Sequence, residues 1–270
     1  MLIKKIYELI PFKKQIYSFI KLFWIPPETI FKHLYFKSKI RVKINKTSFF
    51  MQHYGYAIEN QVFWKGLEGY EKTSMDIWIK SCKKSKVILD IGANTGIYSL
   101  VAKTINPLAE VYAFEPIPRI FQKLQYNCQL NNYNIYCQPY ALSNSNGKAV
   151  ISNTSAENSY PATLSKNLDY SNSKIVKTTI PTQTLNRFIE EKQLTRIDLI
   201  KIDTESHELE ILKGFKNLNE FRPILLIEIF YKDIAQNIKN LLKNYIYLNA
   251  DSYNYIFIPK EKAQNLLPNI

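Results

Sequence analysis

Seven glycines is few for a chain of 270 residues. At the usual frequency of about 7%, roughly nineteen would be expected. Glycine-rich linkers, collagen-like repeats and glycine tracts are therefore excluded. The glycines present, at 55, 66, 69, 92, 96, 147 and 214, should mark places where the backbone needs them. Cysteine is scarce too. Cys82, Cys128 and Cys137 form no C-x-x-C, which argues against a disulfide framework and favours a reduced, cytosolic setting. Three scattered histidines argue against a histidine-based zinc site, and no metal is expected. No apolar run reaches the ~20 residues that span a bilayer. The most apolar early stretch, Ile16 to Ile25, is interrupted by Lys21 and stopped by Pro26 and Pro27. Its recurring lysines, and the lack of a small-residue cleavage site after it, also argue against a signal peptide.

Acidic residues are nearly missing from the first fifty positions. Eleven Lys/Arg face two Glu there, so residues 1–50 carry +9 of the overall +13. The other 220 residues are close to balanced. Hydrophobic residues at 46% and aromatics at 14% supply a real core. A chain of this length can bury about 70–75% of its unfolded surface.

Residues 2–10 and 14–25 read as short amphipathic helices broken at Pro11. In the second, Ile16, Phe19, Ile20, Phe23 and Trp24 share a face, with Lys14 and Lys21 off it. Residues 1–25 fit either a helix lying on a membrane surface or one packing on the main domain with its lysines solvated. Residues 1–50 thus form a basic helical extension, and residues 51–85 a lead-in layer that includes a helix from Tyr70 to Lys80.

From Lys86 the pattern changes. Short β-branched runs at 86–91, 110–114, 134–140, 148–152, 175–180, 197–202, 223–229, 244–248 and 254–258 read as strands. Helix-length segments at 96–105, 117–131, 182–193, 205–213 and 231–243 alternate with most of them. Near-continuous apolar strands alternating with helices predict an α/β domain over residues 86–270, with a mostly parallel sheet covered on both faces. Asn146-Gly147 reads as a hairpin turn, and the Ser- and Asn-rich stretch 153–174 as an irregular excursion from it.

The strongest chemical signal is Val87-Ile-Leu-Asp90-Ile-Gly92-Ala-Asn94-Thr-Gly96, a strand, an acid, a glycine turn and a helix start. Ligands of open α/β sheets sit at the carboxyl ends of the strands. Asp90 would be costly there without a partner. The G-x-x-x-G spacing departs from the G-x-G-x-x-G of dinucleotide binders and speaks against an oxidoreductase. About twenty residues later, Ala113-Phe114-Glu115-Pro116 places an acid where a ribose could be held.

These two motifs, with Ala141-Leu142-Ser143-Asn144 before Gly147 and the run Ile200-Lys-Ile-Asp203-Thr-Glu205-Ser-His-Glu208-Leu-Glu210-Ile-Leu-Lys-Gly214, resemble the FkbM family. These are class I, Rossmann-like, S-adenosylmethionine-dependent methyltransferases. The resemblance spans about residues 50–260, including 60–71 and the closing 255–259. It implies a seven-stranded sheet with an antiparallel last strand. It also implies that Asp90, Gly92, Asn94 and Gly96 line the methionine part of S-adenosyl-L-methionine, that Glu115 holds the ribose, and that Ala141 and Leu142 border the adenine. Asp203 and Glu205 would face the transferred methyl and the acceptor. The family commonly has Gly where this chain has Ser206, and Ser206 is expected to start a helix as its N-cap.

Methyl transfer mainly requires alignment. A hydroxyl acceptor also benefits from a general base, for which Glu205 and His207 are candidates, with Asp203 orienting. First-turn acids such as Glu208 and Glu210 can equally be solvated groups favoured by the helix dipole. Glu228, ending another buried strand, either shapes the acceptor pocket or meets solvent. The resemblance implies a hydroxyl acceptor on a sugar, glycan or secondary metabolite. A nucleic-acid acceptor is disfavoured, because the basic charge lies in the extension and the DTES segment lacks the NPPY-like loop of base-amino methyltransferases. A non-catalytic, membrane-associated role would require a degenerate cofactor turn, and this turn is intact.

Overall fold

A computed structural model describes residues 10–154, 162–163 and 175–266. The chain forms two compact units, Met1–Tyr70 and Glu71–Ile270. The first expected helix, residues 2–10, and most of the excursion 153–174 lie outside the described residues.

In the first unit, helix α1 (Lys13–Phe23) and the short α2 (Glu28–Phe31) precede a hairpin. The hairpin pairs β1 (Ser38–Ile44) with β2 (Thr47–His53) in antiparallel register. Helix α3 (Ala57–Lys65) follows. The hairpin corrects the expectation of a wholly helical extension over 1–50. Ile40, Val42 and Ile44 alternate with polar residues, and buried Phe49 and Met51 alternate with exposed Phe50 and half-buried Ser48 and Gln52; this period of two sets one apolar face inward. The closing pair Ile44 and Thr47 leaves a two-residue turn, in which Asn45 takes a left-handed φ of 50°. Tyr17 of α1, Phe31, Phe36 and Trp64 fill the core around this face.

The second unit is a three-layer α/β structure. Its elements are α4 (Lys72–Cys82), β3 (Val87–Ile91), α5 (Ile97–Ile105), β4 (Glu110–Phe114), α6 (Pro118–Gln129), β5 (Ile135–Gln138), β6 (Ala141–Leu142), β7 (Gly147–Thr154), β8 (Ala162–Thr163), β9 (Ile175–Gln183), α7 (Leu185–Lys192), β10 (Leu199–Ile202), α8 (Glu208–Lys213), α9 (Leu218–Phe221), β11 (Ile224–Glu228), α10 (Lys232–Leu241), β12 (Tyr245–Asn249), β13 (Asn254–Pro259) and α11 (Lys260–Leu266). Seven strands form one sheet in the order β12-β13-β11-β10-β3-β4-β5. All neighbours run parallel except β13, which is antiparallel to both of its partners. This is the Rossmann-like, class I methyltransferase arrangement expected from the sequence.

Strands β3, β4, β10 and β11 are almost wholly buried, which explains their near-continuous apolar runs. Leu89, Ile91, Phe114, Ile200, Ile202 and Ile227 pack with Phe188 of α7, Ile211 of α8 and Ile238 of α10 on one face. On the other face Asp90 meets Ser99 of α5, and Trp78 of α4 packs edge-on to Tyr98. A fully buried Phe188 stabilises the fold by about 1.5–3 kcal/mol.

A second sheet has the order β6-β9-β7-β8. It overturns the hairpin reading of Asn146-Gly147. Strand β7 pairs with β9, placing Gly147 opposite Thr182, and β6 lies on the far side of β9. The Asn146 side chain accepts a hydrogen bond from Thr184 N at 2.9 Å, so the Asn-Gly pair anchors a crossover and closes no two-residue turn.

Candidate active site

The parallel sheet changes winding direction between β3 and β10, the switch point at whose carboxyl ends open α/β sheets take their ligands. Asp90 lies in β3, in register with Ala113 of β4 and Lys201 of β10. Its Oδ2 accepts from Ser99 Oγ at 2.5 Å. Burial pushes its carboxyl up to about 6, against the opposing pull of Ser99 and Lys201.

The turn after β3 is tied to the end of β4. Gly92 N and Ala93 N both donate to Phe114 O, at 3.0 and 2.9 Å. Asn94 N donates to Glu115 Oε2 at 3.1 Å, and Ile117 N to Oε1 at 2.9 Å. Glu115 is buried, and burial pushes its carboxyl up to about 7 although two backbone N–H groups favour the anion. Each oxygen keeps acceptor capacity for a further donor such as a hydroxyl. Asn94 holds a φ of 53°, and its buried Oδ1 finds no hydrogen-bond partner among the described residues.

Both turn glycines are fixed by the protein itself. A Cβ on Gly92 would fall 1.8 Å from Asp203 O, and one on Gly96 would fall 2.6 Å from Leu124 Cδ1. Their φ values, 81° and 95°, lie in the region that glycine adopts without strain. The sequence reading assigned these glycines to ligand approach. The structure adds that Gly92 lets the turn meet the end of β10.

Ala141 and Leu142 form β6, whose side chains alternate. Ala141 packs with Ile117 and Ile120, beside the Glu115 segment. Leu142 is fully committed to the main core, so of the two only Ala141 is set toward that segment.

Asp203 follows β10 and Glu228 ends β11. With Glu71, which precedes α4, they form a cluster whose carboxylate oxygens lie within 4.8 Å of one another. Lys201, 1% exposed, sits among them. Its Nζ donates to Asn254 Oδ1 at 2.9 Å, lies 3.7 Å from Asp203 Oδ2 and stands 5.1 Å over the Tyr98 ring. Tyr98 in turn donates its hydroxyl to Glu71 Oε2 at 2.5 Å. Burial and the neighbouring Asp203 drive the Glu228 carboxyl far upward, so it retains its proton at neutral pH. Lys201, Glu71, Tyr98 and Asn254 escaped the sequence reading. A lysine inside the otherwise apolar run of β10 was the available signal, since an unpaired charge is not tolerated there.

The loop after Asp203 is tightly wound. Glu205 and Ser206 both have positive φ, 54° and 79°. Glu208 is buried, and its Oε1 accepts from Thr204 N, Thr204 Oγ1 and Ser206 N at 3.0–3.2 Å. It clamps the loop, and so differs from a solvated first-turn acid. Burial, with Asp203 and Glu208 nearby, pushes the Glu205 carboxyl up to about 7. Ser206 is not the N-cap of α8, a position held by His207, and its Oγ has no partner among the described residues. The glycine common at this position in the family is explained by the left-handed backbone. The structure brings His207 against Ser143, with Nε2 2.9 Å from Oγ, and burial lowers its pKa.

A model of the methyltransferase FkbM domain matches residues 90–255. Over 159 residues the chain is 28% identical to the hexuronic acid methyltransferase AglP of Haloferax volcanii, covering 59% of this chain and 62% of that protein. Over 162 residues it is 28% identical to the methyltransferase sdnD of Sordaria araneosa, covering 50% of this chain and 62% of that protein. The chain thus matches about three-fifths of the length of each of these curated relatives. Among solved structures, an O-methyltransferase of Bacillus cereus in complex with SAH is 10% identical, with a TM-score of 0.42, covering 70% of this chain and 80% of that one.

Proposed function

The chain belongs to the FkbM methyltransferase family, whose members use S-adenosylmethionine, and from that premise we propose that it methylates a hydroxyl group of a sugar or glycan. One observation carries the reading. Adjacent strands β3, β4, β10 and β11 end on the turn 90–96, Glu115, Asp203 and Glu228, so cofactor-type and acceptor-type groups converge on one edge of the sheet.

The residues present suit the cofactor. Asp90, Glu115 and Glu205 are all pushed toward neutrality by burial, as expected of acids short of positive charge. A ligand bearing an ammonium and a sulfonium supplies that charge. The buried Asn94 Oδ1 offers an acceptor in the same turn. Asp90, Gly92, Asn94 and Gly96 would hold the methionine part, Glu115 the ribose hydroxyls and Ala141 the edge of the adenine.

When bound, S-adenosylmethionine supplies an electrophilic methyl group for in-line displacement. The chain's own residues must present and deprotonate the acceptor. Glu205, with a pKa of about 7, is matched to accepting a proton near neutral pH. Asp203, beside Lys201 and protonated Glu228, orients the acceptor hydroxyl. His207 braces the loop through Ser143. A sugar acceptor accords with AglP, whose name specifies a hexuronic acid.

Calorimetric titration with S-adenosylmethionine and S-adenosylhomocysteine tests the cofactor assignment, and binding of neither would overturn it. Transfer of a labelled methyl group to hexuronate-containing glycans, neutral sugars and hydroxylated metabolites tests the acceptor class. Transfer only to nucleic acid or protein would refute it.

A further inference from the structure

Large apolar side chains that stand exposed are concentrated in one short segment. Nine of the twenty among the described residues fall between Ile10 and Ile30, so this is a patch and not scattered surface. The helix α1 orders them. Phe12, Ile16, Phe19 and Phe23 follow at helical spacing, and Leu22 and Trp24 flank them. Phe12, Phe19, Leu22 and Phe23 are 71%, 63%, 76% and 77% exposed. Phe19 and Phe23 rings meet edge to face at 5.2 Å, which keeps them together on the surface.

The opposite side of α1 holds the helix to its own unit. Tyr17 is buried there against Phe36 and Trp64. Lys14 donates to Lys39 O at 2.6 Å and Lys21 donates to Phe63 O. The helix is therefore inverted relative to an ordinary surface helix, with two lysines turned inward and the aromatic stripe turned outward. The unit around it is basic. Lys32, Lys37, Lys39, Arg41, Lys43 and Lys46 are exposed, whereas Glu28 is already paired with Lys65.

We propose that α1 docks the protein on an anionic lipid bilayer, lying in the plane of the interface. An aromatic-rich helix without acidic residues, carried on a basic body, is the combination that partitions into the headgroup region. A second copy of this chain is a poorer occupant. It would set two units of strong like charge face to face across a helix only about 16 Å long. Among the described residues no helix is long and apolar enough to cross a membrane, so the contact is peripheral.

The test uses the full chain with phosphatidylcholine vesicles, with and without phosphatidylserine. Sedimentation with the anionic vesicles is expected, and it should weaken as salt is raised. Trp24 gives a direct readout. It is 53% exposed, whereas Trp64 and Trp78 are fully buried, so a blue shift and quenching by brominated lipid would report Trp24 in the acyl boundary. Phe19→Asp with Phe23→Asp should lower vesicle binding by at least about tenfold and leave the circular dichroism spectrum and cofactor titration unchanged. Equal sedimentation of native and doubly substituted protein would overturn the proposal. So would a native dimer that the substitutions dissolve in the absence of any vesicle binding.

Discussion

The backbone at Gly92 approaches Asp203 so closely that a Cβ at residue 92 would lie 1.8 Å from the Asp203 carbonyl oxygen. Asp203 N in turn donates to Ile91 O at 3.0 Å. The turn that follows β3 and the acid that follows β10 are thus one construction, and the two cannot shift independently.

Gly92→Ala should therefore damage both halves. The positive φ alone costs about 1–3 kcal/mol, and the backbone clash adds to it because the Asp203 peptide, tied to Ile91 O, has little room to move. Thermal unfolding should show a clear loss of stability, and S-adenosylmethionine titration a loss of affinity. Full stability and affinity in the variant would contradict the coupling.

Ser206→Gly should act in the opposite direction. Ser206 holds a φ of 79° with a buried hydroxyl that finds no partner among the described residues, and glycine relieves both. A gain of roughly 1 kcal/mol is expected in denaturant unfolding. A loss would show that the hydroxyl has a partner in solution.

Lys201→Met should be severe despite the apolar surroundings. Lys201 Nζ lies between Asn254 and Asp203, and its removal leaves the Glu71, Asp203 and Glu228 cluster without its buried cation. Breaking such a pair from one side costs about 3–5 kcal/mol. Adding Glu228→Gln changes a group that already keeps its proton, so it should not rescue the fold. Chemical denaturation of both variants checks this, and near-native stability of Lys201→Met would refute it.

Stability should fall as pH rises from about 6.5 to 8. Glu115 and Glu205 are held near 7 in the fold and Glu228 is pushed higher, whereas an unfolded carboxyl ionises near 4.3. The folded state therefore binds more protons across this range, and stability is lost as they leave. His53 and His207 are lowered by burial, and their opposing effect ends once unfolded histidine is neutral, near 6.5. Melting temperatures measured without and with S-adenosylmethionine check this. Glu115→Gln should flatten the profile, and bound cofactor should as well. A melting temperature that rises from pH 6.5 to 8 would contradict the assignment.

Much of the second unit was legible in the chain because its strands are buried on both faces. Near-continuous apolar runs such as Val87–Ile91 and Leu199–Ile202 admit few other readings, and the ends of buried strands are where Asp90, Glu115, Asp203 and Glu228 had to emerge. The β1–β2 hairpin was less visible, because a segment heavy in lysine masks the alternation of Ile40, Val42 and Ile44. The Asn146-Gly147 signal misled because local turn chemistry was outweighed by pairing with β9, in which Gly147 faces Thr182, more than thirty residues on.

The sequence by itself determined the strand order of chemistry along the chain, the glycine turn, the acids that follow it and the amphipathic pattern of residues 14–25. Those features depend on local spacing and on side-chain type. Only the tertiary structure decided that Gly92 is reserved for Asp203, that Glu208 clamps its loop, and that Glu71 meets Asp203 and Glu228 from a segment distant in sequence. It also decided which face of α1 looks outward. Each of these depends on which surfaces meet, and that is fixed by packing and desolvation among segments far apart in the chain.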